Sequence, residues 1–206
     1  DYHVPFPKDV YAMNVNSLMD VMACREVLDN LMEACEILDL DEPDYPKWKE
    51  LRGKLPTYLL DEEGAVKEWS FKYSGENYDH RHVSHHYDVW PGRAITPEKT
   101  PELVQPFILS NRKRGHQDDS AHGVIHRYFT AVRLGDLPDA MHNFRTLMEH
   151  GYVTRTLNTV HYPYRVFCGD LLGAMPAMLL ELLVYSDEGL IKLLPAVPDD
   201  LSKGSV

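Results

Sequence analysis

The chain has 206 residues and an ordinary globular composition, 44% hydrophobic and 26% charged, which excludes collagen-like, disordered and coiled-coil classes. Lys and Arg total 21 against 32 Asp and Glu, a formal charge of −11. That balance argues against a nucleic-acid partner, which calls for a basic face, and favours a neutral substrate. No membrane span is expected: the longest apolar stretch, Leu171 to Leu183, carries Pro176 and Glu181 and falls short of the ~18 residues needed.

Residues 1–16 read as an entry loop with Pro5 and Pro7. The first residue is Asp1, and the chain reads as cut from a longer polypeptide, so the lack of a leader segment is uninformative about compartment. Ser17 and Asp20 have the spacing of a capping box. Apolar residues then recur at Leu18, Val21, Cys24, Leu28, Leu31, Cys35 and Leu38, in steps of three and four, which predicts one buried helical face ended by Asp41-Glu42-Pro43. Cys24 and Cys35 are expected as buried thiols on that face. With Cys168 they make three cysteines without a CxxC, so no disulfide framework is expected. A short helix is predicted from Tyr45 to Gly53, then a loop to Gly64.

Residues 65–99 are dense in Trp, Tyr and His and lack periodicity. An irregular stretch of that length in a folded domain is usually functional. Thr100-Pro101-Glu102 predicts a helix start, running to Arg114 with Gly115 as its stop and Pro106 as a kink or restart. Further helices are predicted from about Asp119 to Leu134 with Gly135 as C′ residue, from Pro138 to Gly151 with Met141, Phe144, Leu147 and Met148 inward, and from Asp170 to Tyr185. Leu190 to Leu194 is the one strand candidate. The fold class is therefore all-α, and helical hairpins with functional loops at one end fit an α/α toroid better than a plain bundle.

Four histidines fall within seven residues, in His80-Arg81-His82-Val83-Ser84-His85-His86. His82 and His86 are one helical turn apart, but the Glu of an H-E-x-x-H metal motif is missing, and no metal or other cofactor is expected. A hydrogen-bonding cluster that shapes a polar pocket, a metal site and solvated surface histidines all remain compatible with the pattern. Glu68 precedes Trp69, and a carboxyl packed on an aromatic ring loses hydration, which favours its acid form near neutral pH; a surface Glu beside a half-buried Trp has the same spacing. Asp170 reads as an N-cap or a pocket-facing carboxylate, and Glu181 as a paired structural carboxylate within an apolar helix. Two carboxyls from separate segments can carry out glycoside hydrolysis.

Glu68-Trp69, His80-Arg81-His82-Val83-Ser84-His85, Trp90-Pro91-Gly92 and Thr100-Pro101-Glu102-Leu103 resemble the E-W, H-R-H-x-S-H-L, P-G and T-P-E-L series of family 95 glycoside hydrolases, the inverting α-L-fucosidases with some α-L-galactosidase members. Leu193-Leu194-Pro195-Ala196-Val197-Pro198 is similar to the family's L-L-P-A-L-P segment. The resemblance implies the later part of an (α/α)6 barrel over residues 1–188, the start of a C-terminal β-rich domain over 189–206, and missing upstream domains of the same polypeptide. It implies Glu68 as general acid and Asp170, the match to the Asp of F-Q-I-D, in the base machinery. Trp69, His80, Arg81, His82, His85 and His122 are the implied substrate-binding residues, a fucosylated or related glycan the substrate, and a secreted or periplasmic location the expectation. The chain departs from the family where G-W-S-x-A-W-K appears as Ala121-His122-Gly123-Val124-Ile125-His126-Arg127, so both tryptophans are histidine. Asp170 is followed by Leu171-Leu172-Gly173 instead of G-N-F-G. An α-L-galactosidase and a non-catalytic sugar-binding relative are the alternatives. Asn14 and Asn16 mimic the family's water-holding N-x-N pair, but the sequence after them matches a later segment, so they are expected to be loop or cap residues.

Overall fold

A computed structural model describes residues 15–114 and 120–198. Expectations for the entry loop, Asn14, the Gly115 stop and the Asp119 helix start lie outside these residues. The described residues are mostly helical, as part of an α/α toroid would be. The chain divides into two units, 1–76 and 77–206.

In the first unit, helix α1 (Leu18–Leu38) packs against α2 (Tyr45–Lys54). The expected capping box does not form: Ser17 makes no side-chain cap bond. The Leu18 N–H donates to the Glu68 carbonyl at 3.0 Å, and Ser17 bridges Trp69 in antiparallel fashion. The stop also differs. Asp39 adopts a left-handed conformation, φ 52°, and donates its N–H to the last turn, so α1 ends before Asp41. The buried face is Leu18, Val21, Met22, Arg25, Leu28 and Cys35, while Cys24, Leu31 and Leu38 are exposed. Arg25 takes a place on the face that apolar periodicity assigned elsewhere. Its guanidinium donates to the Pro56 carbonyl at 2.8 Å and to Tyr58 Oη at 3.0 Å, which removes the cost of burying it. Arg52 forks onto Asp29, Nε–Oδ1 2.7 Å and Nη2–Oδ2 2.9 Å, tying α2 to α1.

The second unit is built around α4 (Ala121–Leu134), which packs on α3 (Pro101–Lys113), α5 (Leu137–Glu149) and α6 (Gly169–Leu183). Ser120 caps α4, accepting the Gly123 N–H at 3.3 Å, and Gly135 closes it at φ 76°, the left-handed region that glycine enters without strain. α3 runs through Pro106 as one helix. Thr100 caps nothing in α3; its hydroxyl exchanges bonds with Thr96. α6 is capped at the Cys168 position, so Asp170 lies in the first turn and is not the N-cap. Of the residues expected inward on α5, Leu147 is buried and Met141, Phe144 and Met148 partly so.

The sequence reading missed three of the four described strands; its one candidate, Leu190 to Leu194, is the fourth. β1 (Val160–Tyr162) pairs with β2 (Arg165–Phe167), and β3 (Val184–Asp187) with β4 (Leu190–Leu193). β2 is exposed throughout, so it shows no alternation to read. β3 continues the apolar run of α6, and only the Glu188-Gly189 turn, with Gly189 at φ 66°, marks it as a strand. Tyr164, at the β1–β2 turn, lies over Gly151, where an added Cβ would come within 2.5 Å of its ring. α6 and the second hairpin leave Leu179, Leu180, Leu183, Leu193 and Leu194 exposed. No described helix is long and apolar enough to cross a membrane.

Two polar assemblies, one mostly and one fully buried, hold the irregular stretch onto these helices. Arg133 of α4 forks onto Glu181 of α6, Nη2–Oε1 2.7 Å and Nε–Oε2 3.1 Å, and gives Nη1 to the Val89 and Gly92 carbonyls. Glu181 is thus the paired structural carboxylate its position implied. The second assembly lies in a 3₁₀ turn, Ser84–His86, whose His85 and His86 both place Nε2 on Ser110 Oγ of α3, at 2.8 and 3.1 Å. Burial, followed by the Arg114 charge, holds His86 down at about 3. Burial, followed by His86 and Arg114, holds His85 well below the usual imidazole value.

Breaking either assembly has a measurable cost. Arg133→Met in the full-length protein leaves the mostly buried Glu181 without its cation and should lower stability by up to about 3 kcal/mol, read as a shift in denaturant midpoint. For the histidines the folded state binds protons less readily than the unfolded chain. The His86 contribution is complete above the unfolded value of 6.5 and is lost as pH falls from there toward 3, by about 1.4 kcal/mol per pH unit, and His85 adds a loss of the same sign. Denaturation at pH 7.5 and 5 should show a larger loss for the wild type than for His86→Gln, which retains a polar group near Ser110 but does not titrate.

Candidate active site

In the first unit, Glu68 and Trp69 lie on an extended segment stitched to the entry of α1. Beside the Leu18–Glu68 bond, the Ser70 N–H donates to the Asn16 carbonyl at 2.9 Å and Asn16 Nδ2 to the Ser70 carbonyl at 3.3 Å. Asn16 is therefore a structural residue of this pairing, in keeping with its reading as a loop residue. The Glu68 N–H donates to Glu76 Oε2 at 2.9 Å, and Lys67 Nζ to the Ser74 carbonyl at 2.7 Å, which fixes the backbone around the carboxyl-bearing residue. Trp69 lines a groove of about 360 Å³ with Asn16, Ser17, Asp20, Val21, Cys24 and Leu55. Glu68 is not part of that lining.

In the second unit, residues far apart in sequence meet in one histidine cluster. His122 and His126 are one turn apart on α4, hence on one face, with ring centroids 4.3 Å apart. His82, from the irregular stretch, lies 5.7 Å from His122 and 5.1 Å from His80, and its N–H donates to His80 Nδ1 at 3.2 Å. Asp170, in the first turn of α6, brings Oδ2 to 3.6 Å from His122 Nδ1. His161 of β1 places Nδ1 3.9 Å from Cys168 Sγ. An aromatic wall closes one side: Trp90 stacks on Phe129, centroids 4.4 Å apart and 3° between planes, and meets His126 edge-on at 5.0 Å.

Gly123 sets this approach. A Cβ there would come within 2.5 Å of the Arg81 carbonyl oxygen, so only glycine lets α4 and the His80–His82 segment come this close. Two of these imidazoles are shifted toward their neutral forms. Burial, followed by His122 and His82, holds His126 at about 4, with Asp170 pulling weakly upward. Burial, followed by Arg81, His80, His122 and His161, lowers His82. Neutral imidazoles both donate and accept hydrogen bonds, which suits a ligand rich in hydroxyls. Among the described residues no group of three or more His, Cys, Asp or Glu side chains is arranged to hold a metal ion.

Of the residues singled out from sequence, His80, Arg81, His82, His122 and Asp170 thus belong to one neighbourhood. His85 does not: it has no accessible surface and faces Ser110. Glu68 and Trp69 belong to the other unit. His126 and His161 are not among the substrate-binding residues the resemblance implied, and the structure brings both near the cluster.

Known proteins match this chain. The family model for the glycosyl hydrolase family 95 catalytic domain matches residues 2–175. A curated relative, "Alpha-L-fucosidase 2" of Arabidopsis thaliana, is 29% identical over 202 residues, which cover 92% of this chain and 23% of the relative. The chain thus spans about a quarter of that relative's length. With the family model covering most of its residues, the chain belongs to glycosyl hydrolase family 95, as part of a catalytic domain.

Proposed function

We propose that the protein carrying this chain hydrolyses terminal α-L-fucosyl or related α-L-sugar residues with inversion. Glu68 is the general acid that protonates the leaving oxygen, and Asp170 belongs to the machinery that activates water. The observation that carries this reading is the meeting of Asp170 with His80, His82 and His122 beside Trp90, in a chain whose family and curated relative are glycoside hydrolases. A carboxylate, hydrogen-bonding imidazoles and an aromatic wall suit a sugar, which has hydroxyl edges and apolar faces. His80, Arg81, His82 and His122 bind the glycan in this reading. Trp69 is also taken as a glycan-binding residue, and His85 acts only by holding the segment in place.

Inversion requires the two carboxyls to flank the glycosidic bond about 6.5–9.5 Å apart, with room for a water. We take residues 1–188 as the later part of the (α/α)6 barrel and 189–206 as the start of a β-rich domain. The exposed leucines of α6 and the second hairpin are then surfaces that the rest of the polypeptide covers. A second reading, α-L-galactoside as substrate, is favoured by one observation: His122 and His126 stand where the family carries tryptophans, so the sugar meets polar rings.

In the full-length protein, Glu68→Gln should lower hydrolysis of natural glycosides roughly 10²–10⁴-fold while sparing binding, because proton donation is lost. Aryl glycosides with good leaving groups should suffer less. Assays over a panel of α-L-fucosides and α-L-galactosides check both points; an unchanged rate on a natural glycoside removes Glu68 from the acid role.

A further inference from the structure

We propose that Asp187, at the end of β3, is a positioning residue of the sugar site: with Tyr185 and Lys192 it clamps the segment that follows Trp90 and so fixes the aromatic wall. This deepens the hydrolase reading above and rests on it. Along β3 and β4 the side chains alternate between two faces. Val184, Ser186, Ile191 and Leu193 are exposed, whereas Tyr185 is buried and Asp187, Leu190 and Lys192 are partly so. The register sets Tyr185 opposite Lys192 and Asp187 opposite Leu190, so these four share the inner face. That face carries charges that match the segment from Arg93 to Lys99. Asp187 Oδ2 accepts from Lys99 Nζ at 2.6 Å, and its Oδ1 lies 3.8 Å from Arg93 Nη1. Lys192 pairs with Glu98. A slip of one residue in the hairpin would turn all of these groups to the other face.

A second route runs through Arg133. Its guanidinium lies over the Tyr185 ring, 5.0 Å from the centroid, and Lys192 Nζ lies 5.6 Å from the same centroid. Nη1 of that guanidinium donates to the Val89 and Gly92 carbonyls, which flank Trp90-Pro91. Lys99 Nζ, gripped by Asp187, also donates to the Arg93 carbonyl at 3.3 Å. The hairpin therefore holds the backbone on both sides of Trp90 through Arg133, and the backbone beyond it through Lys99. Trp90 in turn stacks on Phe129 and meets His126. The junction is ionic: a cavity of about 100 Å³ lies among Thr96, Arg133, Glu181, Tyr185 and Lys192, with room for several waters. Such a junction yields to screening by salt, which an apolar one does not. The hydrogen bond from Lys99 holds the Asp187 carboxyl below the usual carboxylate range, so the clamp stays charged at neutral pH. In the reading above, the border between barrel and β-rich domain falls at the Glu188-Gly189 turn. The hairpin then belongs to both, and the clamp ties the following domain to the sugar wall.

The test uses the full-length protein and 4-nitrophenyl α-L-fucoside, an uncharged substrate, so that salt acts on the protein and not on the encounter. Asp187→Ala and Lys99→Met should each raise KM about fivefold and weaken L-fucose binding in calorimetry to the same extent. Their kcat should stay within about twofold, as when binding common to ground and transition states is lost. The double variant should be no worse than the poorer single, because the two residues act as one pair. In the wild type KM should rise as ionic strength goes from about 0.05 to 0.5 M, and in Asp187→Ala it should not. Trp90→Leu should abolish the effect, so that Asp187→Ala adds no further cost in that background. A further fivefold loss there overturns the proposal, as does a wild-type KM independent of salt. Lys99 is half exposed, at 49% of its side chain, so its variant should fold even where Asp187→Ala does not. If both single variants match the wild type while Glu68→Gln is inactive, the clamp falls and the hydrolase reading stands. If the wild type neither binds nor cleaves any α-L-fucoside or α-L-galactoside, both fall together.

Discussion

The second unit depends on the burial of α4. Eleven of its fourteen residues are buried, and a helix surrounded in this way has to satisfy every polar group within the protein. The three remaining, His122, His126 and Arg133, are part-exposed and spaced i, i+4 and i+11, which places them on one stripe. That stripe faces the segment running from His80 to Gly92. At one end Arg133 holds the segment by the Val89 and Gly92 carbonyls while gripping Glu181. At the other end His122 and His126 meet His82 and Trp90. The structural ion pair and the candidate site are thus two ends of one helix face, and the absence of a side chain at Gly123 sets the spacing between that face and the segment.

Much of the helical order was legible in the sequence. Apolar periodicity and the glycine and proline punctuation located six helices within a few residues, and Gly135 closes α4 as its position implied. Errors arose where a distant segment displaced a local device. Ser17 has the chemistry of a cap, but its backbone pairs with Trp69 in a bridge and its side chain caps nothing. Cys24 has the spacing of a core residue, yet Arg25 lies inward because Tyr58 and Pro56 satisfy its guanidinium. Neither partner is visible within a helical window. The β1–β2 hairpin left no hydrophobic signature because β2 is exposed on both faces.

The site was legible in part, for the same reason. The density of histidine, tyrosine and tryptophan marked residues 65–99, and the family resemblance tied them to Asp170, but composition alone does not separate roles inside the cluster. His82 and His85 are three residues apart in one motif, and the 3₁₀ turn sends them to opposite fates. His82 joins His80 and His122, whereas His85 is sealed against Ser110 with His86. The short turn thus divides one histidine-rich stretch into an accessible group and a buried one that anchors it.

The packing of Trp90 between Phe129 and His126 has an optical consequence. The chain has three tryptophans, and Trp48 and Trp69 belong to the first unit, so Trp90 is the sole indole of the second. A protonated imidazole quenches indole fluorescence, whereas a neutral one does so only weakly. With His126 edge-on to the ring at 5.0 Å and held neutral down to about pH 4, the emission of Trp90 is an intrinsic reporter of charge in the histidine cluster. Replacing Trp48 and Trp69 with phenylalanine would isolate that signal and allow the cluster to be followed by light alone, without a substrate.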